Sequence, residues 1–323
     1  MSKYFLYQIL AKGSIFLCCF SLQVVHAEQN GIDSLKKMLA QATLTDKIKA
    51  NYLIAGEFFD TLPDSAISYY TEGLRLSREM GNDTFAAKCL YRLGILNFNA
   101  GDYETAIGSL YPALNTFELT GDSSRTIRCL QYLCMAYNEQ GMYDKATDFA
   151  KQSLDISRAI GDKRYIATGM ANLGSIYYAQ SDYDKALDYF QQGLTLMEEL
   201  NNLQGIADAV NNVALIYEEK KDLGKALEFH QRSLALAKEI GDSRYIAASY
   251  HNIGLVYQSM RKYPVAIAYL DSCITLAREG DDKFFLKESY KVLSELYSNI
   301  GKFDLAYQTH VMFSALNDTL MNE

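Results

Sequence analysis

At 323 residues, with 31 Lys+Arg against 39 Asp+Glu and a formal net charge of −8, the chain is acidic and long enough for a large core or a repeat array. It has 49% hydrophobic residues, three prolines, no tryptophan and no basic cluster. A chain of this charge lacks the basic stripe on which phosphate binding rests, so nucleic acid is excluded as the expected partner.

Residues 1–27 read as a secretory signal peptide. Lys3 and Lys12 flank the start of an apolar run from Gly13 to Val25, and Val25-His26-Ala27 offers a small-residue cleavage pattern before Glu28. The expectation is an exported, periplasmic protein that keeps no stable membrane span after cleavage. The alternative is an uncleaved N-terminal segment anchoring the chain in the inner membrane, although the run is short of the roughly 20 apolar residues a span needs. A lipid anchor at Cys18 is disfavoured because Leu17 before it is large. Loss of Lys3 and Lys12 leaves the mature chain two charges more negative.

Residues 28–44 are expected to hold an N-terminal lead-in helix, Ile32 to Leu39, ending at the break and N-cap region Thr43-Leu44-Thr45-Asp46. From 45 to 323 the chain repeats with a period of 40, in about seven units. An alanine recurs at Ala66, Ala106, Ala146, Ala186, Ala226, Ala266 and Ala306. A tyrosine recurs at Tyr137, Tyr177, Tyr217, Tyr257 and Tyr297, with Glu57 and Asn97 breaking the column early. An aliphatic column runs Leu74, Leu114, Leu154, Leu194, Leu234, Ile274, and a turn column runs Gly81, Gly121, Gly161, Asn201, Gly241. A fixed period of this length marks a solenoid.

Each unit parses into two helices. Met170, Leu173, Gly174 and Tyr177 follow the spacing of one helix face, and Ala186, Leu187, Tyr189, Phe190 and Leu194 follow that of a second. Gly followed by Asp, as at Gly101-Asp102 and Gly161-Asp162, suits a left-handed helix end and the N-cap of the next helix. Breaks are expected near Gly81, Gly121, Gly161, Asn201, Gly241 and Gly280. The first unit, Asp46 to about Met80, is degenerate, as terminal units of arrays are. Pro63 and Pro264 fall at turns or first helical residues, whereas Pro112 inside a second helix predicts a kink.

The set Met170, Leu173-Gly174, Tyr177, Ala186 and Phe190 resembles the tetratricopeptide repeat. The period departs from that family's usual 34 and is similar to the longer variant of kinesin light chains and Rap-type regulators, which also carry Asn before the Leu-Gly, as at Asn172, Asn212 and Asn252. The resemblance covers about residues 45–320. It implies an all-α fold, a right-handed α-solenoid of helix-turn-helix units, binding a protein or peptide in its concave groove.

In the fourth unit Thr168, Ala171, Asn172, Ser175, Tyr178 and Ala179 share the face opposite Leu173, Gly174 and Tyr177. By resemblance that face lines the groove. The candidate binding residues are Lys88, Tyr91 and Arg92 in the second unit, Arg128 in the third, Asn172 and Ser175 in the fourth, Asn211 and Asn212 in the fifth, and His251 and Asn252 in the sixth. The same face of the third unit carries Gln131, Tyr132, Met135, Asn138 and Glu139. Lys88, Arg92 and Arg128 make one end positive, and Asp208, Glu218, Glu219, Glu288 and Glu295 make the other negative, which would orient an extended peptide. Asn172, Asn212 and Asn252 would hydrogen-bond its backbone, since an amide both donates and accepts. The alternative is that these asparagines hold loops or neighbouring helices and the charges form a solvated surface.

No Ser/His/Asp set, phosphate loop or metal-ligand spacing appears, so no enzyme activity, cofactor or metal is expected. Cys18 and Cys19 leave with the signal; Cys89, Cys129, Cys134 and Cys273 are expected to be free, buried thiols. His230 and His310 fall in a packing column, while His251 is expected to contact ligand or lie exposed.

The last helix carries Phe303, Leu305, Ala306, Tyr307, Val311, Met312, Phe313, Leu316 and Leu320. The stretch from His310 to Glu323 resembles the segment after the last repeat in the periplasmic sensor part of Bacteroidetes signalling proteins. Two functions are compatible with these features. One is an exported scaffold, the sensor or adaptor part of a signalling system. The other is an assembly protein whose last helix docks a second copy or a membrane signalling protein.

Overall fold

The computed structural model describes residues 43–322; the signal segment, nearly all of the lead-in segment and Cys18 and Cys19 lie outside the described residues. Among them fourteen helices and no strand occur. They are α1 (Leu44–Phe58), α2 (Pro63–Glu79), α3 (Asp83–Asn99), α4 (Tyr103–Leu119), α5 (Ser123–Glu139), α6 (Tyr143–Ile160) and α7 (Lys163–Ala179). Next come α8 (Tyr183–Glu199), α9 (Leu203–Glu219), α10 (Leu223–Ile240), α11 (Ser243–Ser259), α12 (Tyr263–Glu279), α13 (Lys283–Asn299) and α14 (Phe303–Asn322). The chain divides into a first unit through Gln180 and a second from Ser181. In the first, α1–α2, α3–α4 and α5–α6 pair as hairpins and each second helix packs on the next first helix; in the second, α9–α10, α11–α12 and α13–α14 do so. The architecture is the all-α helical-repeat type expected. No described helix is long and apolar enough to cross a membrane.

The columns explain the packing. Ala66, Ala106, Ala146, Ala186, Ala226 and Ala266 are fully buried, where only a methyl group fits between helices. Gly94 shows how close the pair comes: an added Cβ would stand 2.6 Å from Leu110 Cγ. The tyrosine column stacks on an aromatic twelve residues later, Tyr137 on Phe149 at 5.6 Å, Tyr217 on Phe229 at 5.5 Å and Tyr257 on Tyr269 at 5.6 Å. Cys89, Cys129, Cys134 and Cys273 are free and buried.

Turns keep the period even where glycine does not. Gly81, Gly101, Gly121, Gly141, Gly161, Gly241 and Gly301 take positive φ, and the same register is held by Ser181, Asn201, Lys221, Arg261 and Asp281. The break expected at Gly280 therefore falls one residue later; Gly280 itself has φ −93°. The next side chain caps the following helix: Asp102, Asp122, Asp182, Asn202, Asp222 and Asp282 each accept a backbone N–H three residues on. Helix α4 continues unbroken through Pro112. Pro112 and Gly108 are both exposed, so the carbonyl that loses its donor faces water.

Helix α14 departs from the earlier second helices. Leu270, Cys273, Ile274 and Ala277 of α12 are buried; one period later stand His310, Phe313, Ser314 and Asn317. His310 is exposed, not a packing residue as its column suggested, because α14 has no following first helix among the described residues. Phe303, Tyr307, Val311 and Met312 are exposed as well.

Candidate functional site

The candidate residues sit on the first helices α3, α5 and α7 in the first unit, which pack side by side. Tyr91 is buried, its ring edge-on to Phe117 at 6.3 Å and to Tyr132 at 6.4 Å. Phe98 meets Tyr132 at 5.6 Å. These rings form one aromatic patch. Lys88 Nζ lies 4.7 Å over Phe85, with the Asp122 carboxylate near enough to feel it. Arg92 is half-buried, its guanidinium 5.0 Å over the Phe59 ring and beside Tyr52. Arg128 Nε donates to the Tyr165 hydroxyl at 3.3 Å and the guanidinium also reaches Tyr91. The groups acting on these two arginines are tyrosines; neither is paired with a carboxylate among the described residues.

The amides of this face are underused. Gln131 is 8% and Asn172 6% exposed, yet Gln131 Nε2 and Asn172 Nδ2 have no hydrogen-bond partner. Arg92 Nε and Asn138 Oδ1 are in the same condition. A buried donor left unmet costs about 1–3 kcal/mol, so such groups are usually found where something else completes them. Ser175 is committed: its Oγ donates to the Ala171 carbonyl at 2.9 Å. Gln131 and Asn138 complete the set and lay outside the ten candidates; their shared register with Tyr91 and Phe98 was the available signal.

The second unit is arranged differently. Asn252 Nδ2 donates to Asn211 Oδ1 at 3.0 Å, and both residues are buried. This pair stands in the register of Gln131 and Asn172, two repeats on. Asn212 is buried on the same helix. His251, expected to be exposed or ligand-contacting, is 5% exposed; its Nδ1 lies 3.1 Å from Ser289 Oγ, and its ring packs 6.0 Å from Phe285. Ser289 Oγ in turn donates to Cys273 Sγ at 3.3 Å. The chain of bonds ties α11 to α13 and α12. Burial drives the imidazole down to about 4 and the Cys273 thiol up to about 11, so both stay uncharged near neutrality.

The acidic set of the second unit is also engaged. Tyr245 OH donates to Asp208 Oδ1 at 3.1 Å, and burial raises this carboxyl to about 7. Glu218 Oε1 meets His230 Nε2 at 2.8 Å, His230 being fully buried. Tyr183 OH donates to Glu219 at 3.5 Å, and Gln258 Nε2 to Glu295 at 3.4 Å. Glu288 stands 3.4 Å from Lys287. No cluster of three metal-ligating side chains occurs among the described residues.

Comparison with known proteins identifies the fold. No curated protein matches the chain. Among solved structures it is similar to the apo form of the quorum sensor NprR from B. thuringiensis, at 20% identity and TM-score 0.73 over 90% of this chain and 82% of that one. It is similar to the apo form of RapI, at 15% identity and TM-score 0.67 over 85% and 99%. A third is a Rap protein complexed with competence and sporulation factor, at 18% identity and TM-score 0.65 over 90% and 80%. At such identities the likeness is one of fold. The tetratricopeptide repeat pattern matches residues 85–159, 125–199 and 205–279. These spans cover more than half of the sequence, and the chain belongs to the tetratricopeptide repeat family.

Proposed function

We propose that the chain is a scaffold that binds a peptide or protein segment across the face of its first helices that carries Tyr91, Gln131 and Asn172. The observation that carries the reading is the uncommitted polar groups of α5 and α7, Gln131 Nε2 and Asn172 Nδ2, which stand one repeat on from the paired rings of Tyr91 and Tyr132. Buried amide donors at one-repeat spacing suit the carbonyls of an extended chain. Support comes from neighbours of similar fold: solved structures include a Rap protein complexed with competence and sporulation factor, and a Rap conjugation gene regulator in complex with the Phr* peptide. On this reading Lys88, Tyr91, Arg92, Arg128, Asn172 and Ser175 line the ligand face, while Asn211, His251 and Asn252 brace helices within the second unit. Export through residues 1–27 makes the ligand an envelope one and the role that of a sensor or adaptor in signalling. The test is capture from envelope extract by the wild-type chain and by Gln131→Ala with Asn172→Ala. Loss of a captured peptide or protein with unchanged helicity supports the reading; equal capture by both contradicts it.

A second reading concerns α14. In the first unit Tyr103 and Ile107 of α4 pack on the Ala136 region of the next first helix; the same register on α14 holds Phe303 and Tyr307, 69% and 71% exposed. The face thus continues the repeat-to-repeat interface with its partner helix missing among the described residues. Helix α1 exposes Leu44 and Leu53 but also the charged Asp46, Lys49 and Glu57, a more polar face than that of α14. We infer that α14 packs on α14 of a second copy, in an isologous dimer rather than a head-to-tail chain. Sedimentation decides it: Tyr307→Lys should give monomer while Leu53→Lys on α1 keeps the dimer. A monomeric wild type, or a dimer lost through Leu53→Lys, overturns it.

A further inference from the structure

Volume is balanced at each joint between a second helix and the first helix that follows, and one joint balances it with a thioether. Near the end of the second helix stands a small buried residue, Ser77, Ser157, Ala237 or Ala277, and one turn into the next helix stands an aromatic, Phe85, Tyr165, Tyr245 or Phe285. The α4–α5 joint has Phe117 and Arg125 in these places, with the guanidinium 5.8 Å over the ring. The α8–α9 joint has Met197 and Gly205. There the thioether fills the space that a side chain would take. A Cβ on Gly205 would stand 2.4 Å from Met197 Sδ and 2.9 Å from its Cγ. The Asn202 amide serves both residues: Oδ1 accepts the Gly205 N–H at 3.2 Å and caps α9, while Nδ2 donates to Met197 Sδ at 3.6 Å. Met197 is half-buried and packs against the core of Leu194, Ile206 and Val210.

We propose that Met197 is an oxidation site and a redox-sensitive joint of the second unit: hydrogen peroxide converts its thioether to the sulfoxide, and α9 loosens at its N-terminal end. A sulfur lone pair attacks one peroxide oxygen and the O–O bond breaks. That oxygen stays on sulfur, and the other leaves as water with both hydrogens; sulfur gives up the two electrons that the peroxide takes. The product is larger and strongly polar. It has no room on the Gly205 side, and against Leu194, Ile206 and Val210 its dipole is buried without a partner. Asn202 Nδ2 is the donor at hand, and turning it onto the new oxygen draws Oδ1 off the Gly205 N–H that it caps. The change reaches beyond the joint, because Asp208 and Asn211 of α9 hold α11 through Tyr245 and Asn252. The other joints offer no thioether in either place. Met80, Met142 and Met312 are exposed, so their sulfoxides are met by water.

The test treats the full chain with hydrogen peroxide, locates added oxygen by peptide mass, and reads amide exchange in residues 203–219. In the wild type, oxygen gained at Met197 should come with exchange at least about tenfold faster across that helix, and methionine sulfoxide reductase should restore the slow exchange. Met197→Leu should keep slow exchange through the same treatment. Untreated Met197→Gln, whose amide imitates the sulfoxide, should already exchange fast. Met197→Ser with Gly205→Tyr rebuilds the pairing of Ser157 with Tyr165 and should ignore peroxide, which separates oxidation from any harm done by changing Met197 alone. The proposal is overturned if Met197 stays reduced while Met80, Met142 and Met312 are converted, or if exchange is unchanged once Met197 is oxidised. It is equally overturned if Met197→Leu responds to peroxide as the wild type does, or if Met197→Gln exchanges as slowly as the untreated wild type.

Discussion

His251 and Asp208 show how single residues set the response of this protein to pH. His251 is buried as the neutral imidazole, with its pKa lowered to about 4 by desolvation. A depressed histidine binds its proton more readily in the unfolded chain, so its contribution to stability is complete above the unfolded value near 6.5 and is lost as pH falls towards 4. Asp208 has the opposite sign. Its carboxyl is raised to about 7, so stability is complete below the unfolded value of 3.8 and is lost as pH rises through 7. Each unit of difference is worth about 1.4 kcal/mol. The stability advantage of Asp208→Asn over wild type should therefore grow between pH 4 and 7, and the deficit of His251→Gln should shrink as pH falls from 6.5 to 4. Urea midpoints across that range check both; differences that do not move with pH would contradict the buried placements. The left-handed turn residues give a second residue-scale prediction. Lys221 and Arg261 hold φ of 62° and 59° in positions where other repeats use glycine. Lys221→Gly and Arg261→Gly should each stabilise by about 1 kcal/mol, and Gly101→Ala should destabilise by a similar amount.

Between helices, the small-residue columns set how closely each pair can approach. A methyl group on Gly94 would meet Leu110 at 2.6 Å, and one on Gly254 would meet Leu270 at 3.0 Å. Gly94→Ala should cost about 1–3 kcal/mol by overpacking, and Gly254→Ala distinctly less, as thermal melts would show. The period, the two helices per unit and the buried alanines could all be read from the sequence, because each repeat places the same side chain in the same contact. The turn at Asp281 could be read too, since the period reaches it even though Gly280 suggested otherwise. What could not be read is which polar groups find each other. Asn211 and Asn252 are 41 residues apart, and their bond depends on the approach of α9 and α11. Gln131 and Asn172 have the same spacing and stay unbonded. Likewise, nothing in its column marked His251 as the link between α11 and Ser289 of α13, a contact made across 38 residues.

At the scale of the whole molecule, the two units share a repeat and differ in how their polar faces are used. In the second, Asp208, Glu218, Glu219, Asn211, His251 and Asn252 are tied to Tyr245, His230, Tyr183, one another or Ser289. In the first, Arg92, Gln131, Asn138 and Asn172 keep polar atoms unpaired, against Gln204 Nε2 and His230 Nδ1 in the second. Closed networks favour a rigid support, and open donors favour a ligand face. Hydrogen–deuterium exchange with and without a pool of random short peptides tests that division most directly. A ligand face on the first unit predicts added protection in residues 83–99, 123–139 and 163–179, with residues 203–219 and 243–259 unchanged. Protection centred on 203–219 and 243–259, with the first-unit helices unaffected, would contradict it.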